Sequence, residues 1–211
     1  VGNQSALSNS ATGATGKVTV VFEDGAETSA SEALWTRESP WARTIEDASP
    51  SDATTPLGGD WSWTDSPGGQ YGNGVNTSMT SIPFSLAGAS NAILQFDHRY
   101  GIETGYDNGY VEITTDGSSW TELAAYTGTQ SSWTSSSIDL GDYDDQGGIQ
   151  IRFRLATDGS VTYDGWYVDD VRVIGEVDAF LALNISLDAS GDTALVSLSL
   201  DNKDKVVGLS Y

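Results

Sequence analysis

The side chains in this sequence best equipped for chemistry are carboxylates, and they gather where short β-patterned runs end. They are Glu23 and Asp24 in "FEDG", Asp60 in "GDW", Glu103 and Asp107 in "GIETGYDNG", Asp158 in "ATDG", and Asp164, Asp169 and Asp170 in "YDGWYVDD". Carboxylates beside glycine-bordered turns suit Ca2+, a hard cation that takes about six to eight oxygens from carboxylates, carbonyls and water. Asp169 is the sharpest case. Read as a strand of period two, "GWYVDDVRV" sets Asp169 on one face with Tyr167, Val171 and Val173, and Asp170 on the other with Arg172. If the valines face a core, so does Asp169, and a carboxylate there is costly unless paired or bound to a metal. For the other acids the plain alternative is a turn or a solvated strand end, because Asp is a favoured turn residue. Glu23 has the opposite phase to Val18, Val20 and Phe22, so alternation leaves it wet unless the strand kinks at "EDG". No EF-hand loop is present, since "DNGYVEITTDG" lacks oxygens at the required alternate positions.

Other chemistry finds little support. The sequence holds no HExxH, no GxSxG and no cysteine. Its one histidine, His98, shares an apolar face with Phe96 and Tyr100, which suits a hydrogen-bonded core residue, and no second histidine exists to help bind zinc. Acidic pairs are plentiful, but nothing isolates the facing pair that glycoside hydrolysis needs. A noncatalytic chain is therefore expected. Binding is the stronger rival: Trp35, Trp41, Trp61 and Trp63 lie in polar, Gly-rich surroundings, where exposed rings stack on sugars. The competing reading is that these rings fill or cover the core. Trp120, Trp133 and Trp166 are read as structural.

Strands must position these groups. The 211 residues are rich in Gly, Ser, Thr and Asp, with one Met, and turn-rich segments separate runs of Val, Ile, Tyr, Phe and Trp. "NAILQFDHRY", "GYVEITTDGSSW" and "GIQIRFRLATD" alternate wet and dry, as half-buried strands do. Such strands, joined by long connections, indicate an all-β, antiparallel two-sheet sandwich. Residues 25–75 are irregular, which implies a job or hidden short strands. The formal charge of −21 repels nucleic acid and anionic membranes and favours cationic partners. No run approaches the roughly 20 apolar residues of a membrane-spanning helix, so no membrane insertion is expected. No signal peptide is read in the sequence, and Val1 is compatible with following a removed one.

The order "FEDG", "LQFDHRYGIETGYDNGYVEITTDGSSWTEL", "SSWTSSSIDLGDYDDQGGIQIRFRLATDG" and "GWYVDDVRV" resembles the MAM-like jelly-roll domain of immune inhibitor A-type secreted metallopeptidases, a relative of cleaved-adhesin domains. The resemblance runs from about Val18 to Ile174. It implies a jelly-roll β-sandwich over 17–175, noncatalytic, extracellular or cell-surface, and holding structural calcium. The implied ligands are a glutamate after the first strand and an aspartate in the last, carried onto Glu23 and Asp169. Asp60 is a further candidate, and Glu103 and Asp107 match the family's "iE..yD" pattern. The expected partners are a glycan, which the tryptophan cluster between 35 and 63 suggests, or a cell-surface protein. Residues 1–16 read as a flexible arm. Residues 176–211 weakly resemble the start of a cohesin-like module, and are either a truncated second module or strands donated to another sheet in self-association.

Overall fold

The alternation of "NAILQFDHRY" is realised in β7 (Ala89–Ile102), where Ala92, Leu94, Phe96 and His98 are buried and their neighbours half-buried or exposed. The same period builds β8 (Asn108–Thr114) and β11 (Gly147–Ala156), which pair antiparallel with Ile113 opposite Ile151 and Val111 opposite Phe153. A computed structural model describes residues 16–45 and 59–177, and the backbone of 181–187 and 194–200. The first fifteen residues of the expected arm lie outside the described residues.

Two antiparallel sheets form a jelly-roll sandwich. The first runs in the order β10 (Gly128–Asp139), β7, β12 (Gly165–Val177), β4 (Ser62–Thr64), β3 (Ala42–Thr44), with β1 (Lys17–Asp24) also paired to β12. The second runs β2 (Trp35–Arg37), β5 (Asn76–Ser81), β11, β8, β9 (Thr121–Tyr126), with β6 (Phe84–Ser85) also on β11. Among its described residues, the irregular stretch after residue 25 contains three strands of three residues each, too short to show a period. They are recognised by pairing: Trp63 of β4 lies opposite both Arg43 and Val168. Of the three apolar residues alternating in β1, only Phe22 is buried; Val18 and Val20 are exposed.

Aromatic rings carry the contact between the sheets. Phe96 of the first meets Phe153 of the second edge to face at 5.2 Å, and Trp166 of β12 sits 5.5 Å from Phe153. Burying each such ring stabilises the fold by about 2–3 kcal/mol. Gly109 of β8 lies beneath Trp166, where an added Cβ would stand 2.6 Å from the ring. Gly109→Ala is therefore expected to cost about 1–3 kcal/mol by overpacking, readable as a lower urea midpoint; a midpoint equal to wild type would show that the ring can give way.

Contacts group the chain into Val18–Glu176 and a second unit, comprising the segments on either side. In the second, β13 (Leu181–Leu187) and β14 (Ala194–Leu200) pair with each other as an antiparallel two-stranded sheet, Asn184 opposite Ser197.

Candidate cation-binding carboxylates

The alternation of β12 breaks at Asp170, whose φ of +49° lies in the left-handed region. Before the break Trp166 and Val168 point into the core; after it Val171 and Val173 do. Two successive residues, Asp169 and Asp170, then sit on the outer face, as at a β-bulge. Tyr167 shares that face: it is buried but outside the core cluster, with the Arg99 guanidinium 4.8 Å above its ring. Asp169 is fully buried, as its sequence suggested, but on the face opposite to the one shared with Val171 and Val173. One of its oxygens accepts the Asp170 N–H at 2.7 Å.

The buried acids Asp24 and Glu112 are met by hydrogen-bond donors, whereas Asp65 is met on one oxygen only. Glu23 is not one of them: it is exposed, 4.0 Å from Arg172, because it keeps the wet phase of β1. The inward carboxylate at the end of β1 is Asp24, 4 % exposed. Asp24 Oδ2 accepts the indole N–H of Trp35 at 2.6 Å and of Trp63 at 2.8 Å, and Oδ1 the Ala26 N–H at 3.2 Å. Glu112 is met by Arg152 at 2.6 Å and by Arg154 at 2.8 and 2.9 Å. Burial alone would raise its pKa, but these guanidinium bonds hold it below the usual range. Asp65 Oδ1 accepts the Trp166 N–H at 2.6 Å, while Oδ2 is buried with no partner. Burial pushes the Asp65 carboxyl up to about 7.

Two groups remain incompletely satisfied. Asp170 Oδ1 is buried without a hydrogen-bond partner. Burial, then the charges of Asp97 and Glu27, pushes its carboxyl up to about 6. Glu27 lies in the loop after β1 and accepts the Trp61 N–H at 3.0 Å; Asp97 is on the outer side of β7. Glu27 follows the first strand in an irregular loop, a position that gave no phase to read. Asp60 is exposed. The second group joins Glu103 and Asp107 at the β7–β8 turn to Asp158 after β11, with one ligand oxygen from each lying within 4.8 Å of the others.

The tryptophans are core residues. Trp35, Trp41 and Trp63 are 5 %, 4 % and 1 % exposed, so none presents a face to a sugar. Trp35 packs on Phe22 and Phe153, and Trp41 on Trp166, because the short strands of the insert pair into the two sheets, β2 on β5 and β4 on β12. Trp61 is half-buried under the Arg43 guanidinium, 4.4 Å from its ring. His98 is likewise internal. Its Nδ1 accepts from Trp166 Nε1 at 3.2 Å, since an indole N–H only donates. Nε2 therefore carries the proton and donates to Ser136 Oγ at 3.0 Å, and burial lowers the pKa of the ring to about 4. Among the described residues no helix is long and apolar enough to cross a membrane.

Fold and carboxylates together define a jelly-roll module with acid-lined outer seams. The chain belongs to the immune inhibitor A-like MAM domain family, whose model matches residues 43–198, beyond the end of β12. Bacillopeptidase F of Bacillus subtilis (strain 168) is 36 % identical over 104 residues, which is 49 % of this chain and 7 % of that protein. The chain thus spans a small part of the curated relative it matches. Among solved structures, the CBM22-1 xylan-binding domain of Paenibacillus barcinonensis Xyn10C aligns over 80 % of this chain and all of its own, with 15 % identity and a TM-score of 0.46. CBM29_1, a family 29 carbohydrate-binding module from Piromyces equi, aligns over 76 % of this chain and 91 % of its own, with 10 % identity and a TM-score of 0.45. Likenesses this distant do not bear on binding.

Proposed function

We propose that this chain is a noncatalytic accessory module of a larger exported protein, closed along its outer seam by Ca2+ held between Glu27, Asp97 and Asp170. The carrying observation is the buried, unpartnered Asp170 Oδ1, in a carboxyl whose pKa is raised by burial and then by the charges of Asp97 and Glu27. Without a cation these three repel one another, and burial raises the cost of keeping Asp170 charged. A hard divalent ion reverses both effects and asks only for oxygen ligands. The position supports a clamp role: Glu27 follows the first strand of the sandwich, Asp170 lies in β12, and Asp97 is on the neighbouring β7. Calcium sites of extracellular modules are filled at about 0.1–1 mM, so a site of that kind suits a protein outside the cell. The small share of the relative that the chain matches supports an appended module, and membership of the MAM family supports export.

Binding to the folded state alone stabilises it by about 1.4 kcal/mol when the free ion is about tenfold above its Kd. Thermal unfolding in millimolar Ca2+ should therefore show a higher midpoint than in excess chelator. Asp170→Asn should lose a large part of that difference. A midpoint indifferent to the chelator, or a difference undiminished in the variant, would remove the seam clamp.

A further inference from the structure

We propose a second cation site, independent of the seam, in which Glu103, Asp107 and Asp158 bind Ca2+ where three loops meet at one end of the sandwich. Glu103 directly follows β7 and Asp107 directly precedes β8; the turn between them is closed by the N–H groups of Tyr106 and Asp107, both donating to the Glu103 carbonyl. That turn aims two side chains, four residues apart, to the same side. Asp158 comes from the β11–β12 loop and is tied to them by its own N–H, which donates to Asp107 Oδ1 at 2.7 Å. The third loop, between β4 and β5, is joined through Tyr71, whose hydroxyl accepts the Glu103 N–H at 3.0 Å, and through Gly74, whose N–H donates to the Asp158 carbonyl.

The cluster of acids alone would not make a site; the state of Asp107 does. Its side chain is fully buried beside the Tyr71 hydroxyl, Oδ1 is engaged by the Asp158 N–H, and Oδ2 meets no partner in hydrogen-bond geometry. Glu103 Oε2 is buried and unpartnered as well. None of the ion pairs among the described residues includes any of the three acids. Three carboxylates are thus pressed together with orphaned oxygens and no described counter-charge, an arrangement that is costly unless an ion or proton is shared. Burial, and then the charges of Asp158 and Asp107, raise the pKa of Glu103. An all-oxygen donor set without histidine or cysteine excludes a preference for zinc. One ligand oxygen from each acid lies within 4.8 Å of the others, close enough for a single hard cation to meet all three. Glu103 and Asp158 are half-exposed, so the remaining positions open to water.

The test uses the metal alone on the full chain. Calcium titration calorimetry, and terbium luminescence sensitised by the nearby Tyr71, should both report a site that survives Asp170→Asn. Glu103→Gln and Asp158→Asn, each at a half-exposed position, should weaken it at least about tenfold. On the unmutated protein, Ca2+ should slow hydrogen exchange in peptides spanning 103–107 and 157–160. Isotherms unchanged in both loop variants would overturn the proposal. So would calcium binding that disappears entirely with Asp170→Asn, or exchange in those peptides that ignores the metal. Loss of the calorimetric signal only in the loop variants would instead leave this site standing while removing the seam clamp.

Discussion

Replacing Asp24 with leucine is expected to lower the stability of the sandwich by about 3–5 kcal/mol. The reason is where its partners come from. Trp35 belongs to β2 in the second sheet, and Trp63 to β4 in the first; both indole N–H groups converge on the same Asp24 oxygen at the end of β1. The carboxylate therefore ties the two layers together at a point where the strands are only three residues long. An indole nitrogen can only donate, so removing the acceptor leaves two buried donors unmet, at about 1–3 kcal/mol each. Asp24→Asn should fall between wild type and leucine. Its carbonyl can still take both indole bonds, but its amide nitrogen then faces the Ala26 N–H, which donates to Oδ1 at 3.2 Å. Urea unfolding followed by tryptophan fluorescence checks the order. The loss in Asp24→Leu should be the same with and without chelator, because the charge is met by indoles and not by an ion. A loss under about 1 kcal/mol, or one that appears only in the presence of Ca2+, would contradict that role for the carboxylate.

The same residue marks where the sequence could be read and where it could not. The long strands were legible because period two persists over enough residues to fix a face: Leu94, Phe96 and His98 in β7, and Ile149, Ile151, Phe153 and Leu155 in β11 are all buried. Strand ends were not. Whether Glu23 or Asp24 turns inward is a one-residue question of phase. Indole donors 11 and 39 residues away answer it. Alternation rightly puts Asp169 indoors, yet on the wrong face, because a left-handed residue at 170 resets the phase. The tryptophans of the insert look exposed in sequence because Gly, Ser and Asp surround them. Their burial depends on three-residue strands whose pairing is long-range. Glu103 and Asp107 could be paired from their spacing alone, whereas Asp158, 51 residues beyond Asp107, joins them only once β8 and β11 lie side by side.

The second large effect lies in the pH dependence, where two buried groups oppose each other. The Asp65 carboxyl is raised from its ordinary 3.8 to about 7, so the folded state holds a proton that the unfolded chain releases. Its contribution to stability is full below about pH 4 and is lost as pH rises through 7, about 4 kcal/mol in all. His98 is lowered from 6.5 to about 4, so the unfolded chain binds a proton that the folded state refuses. Its contribution is full above 6.5 and is lost as pH falls through 4, about 3 kcal/mol. Over most of that window the slopes cancel, and wild type should show little pH dependence from this pair. The two groups are joined through one residue: Trp166 gives its backbone N–H to Asp65 and its indole N–H to His98. Gly165, at φ +94°, brings that backbone onto Asp65; a Cβ there would stand 2.8 Å from Oδ1. Asp65→Asn should therefore unmask the histidine. Relative to wild type, the variant should lose about 4 kcal/mol between about pH 8 and about pH 4 in chelator-containing urea titrations. His98→Gln should move the opposite way, gaining about 3 kcal/mol on wild type over the same range. Parallel pH profiles for wild type and Asp65→Asn would mean that Asp65 is ionised in the folded protein at neutral pH, and that something other than a proton meets its buried oxygen.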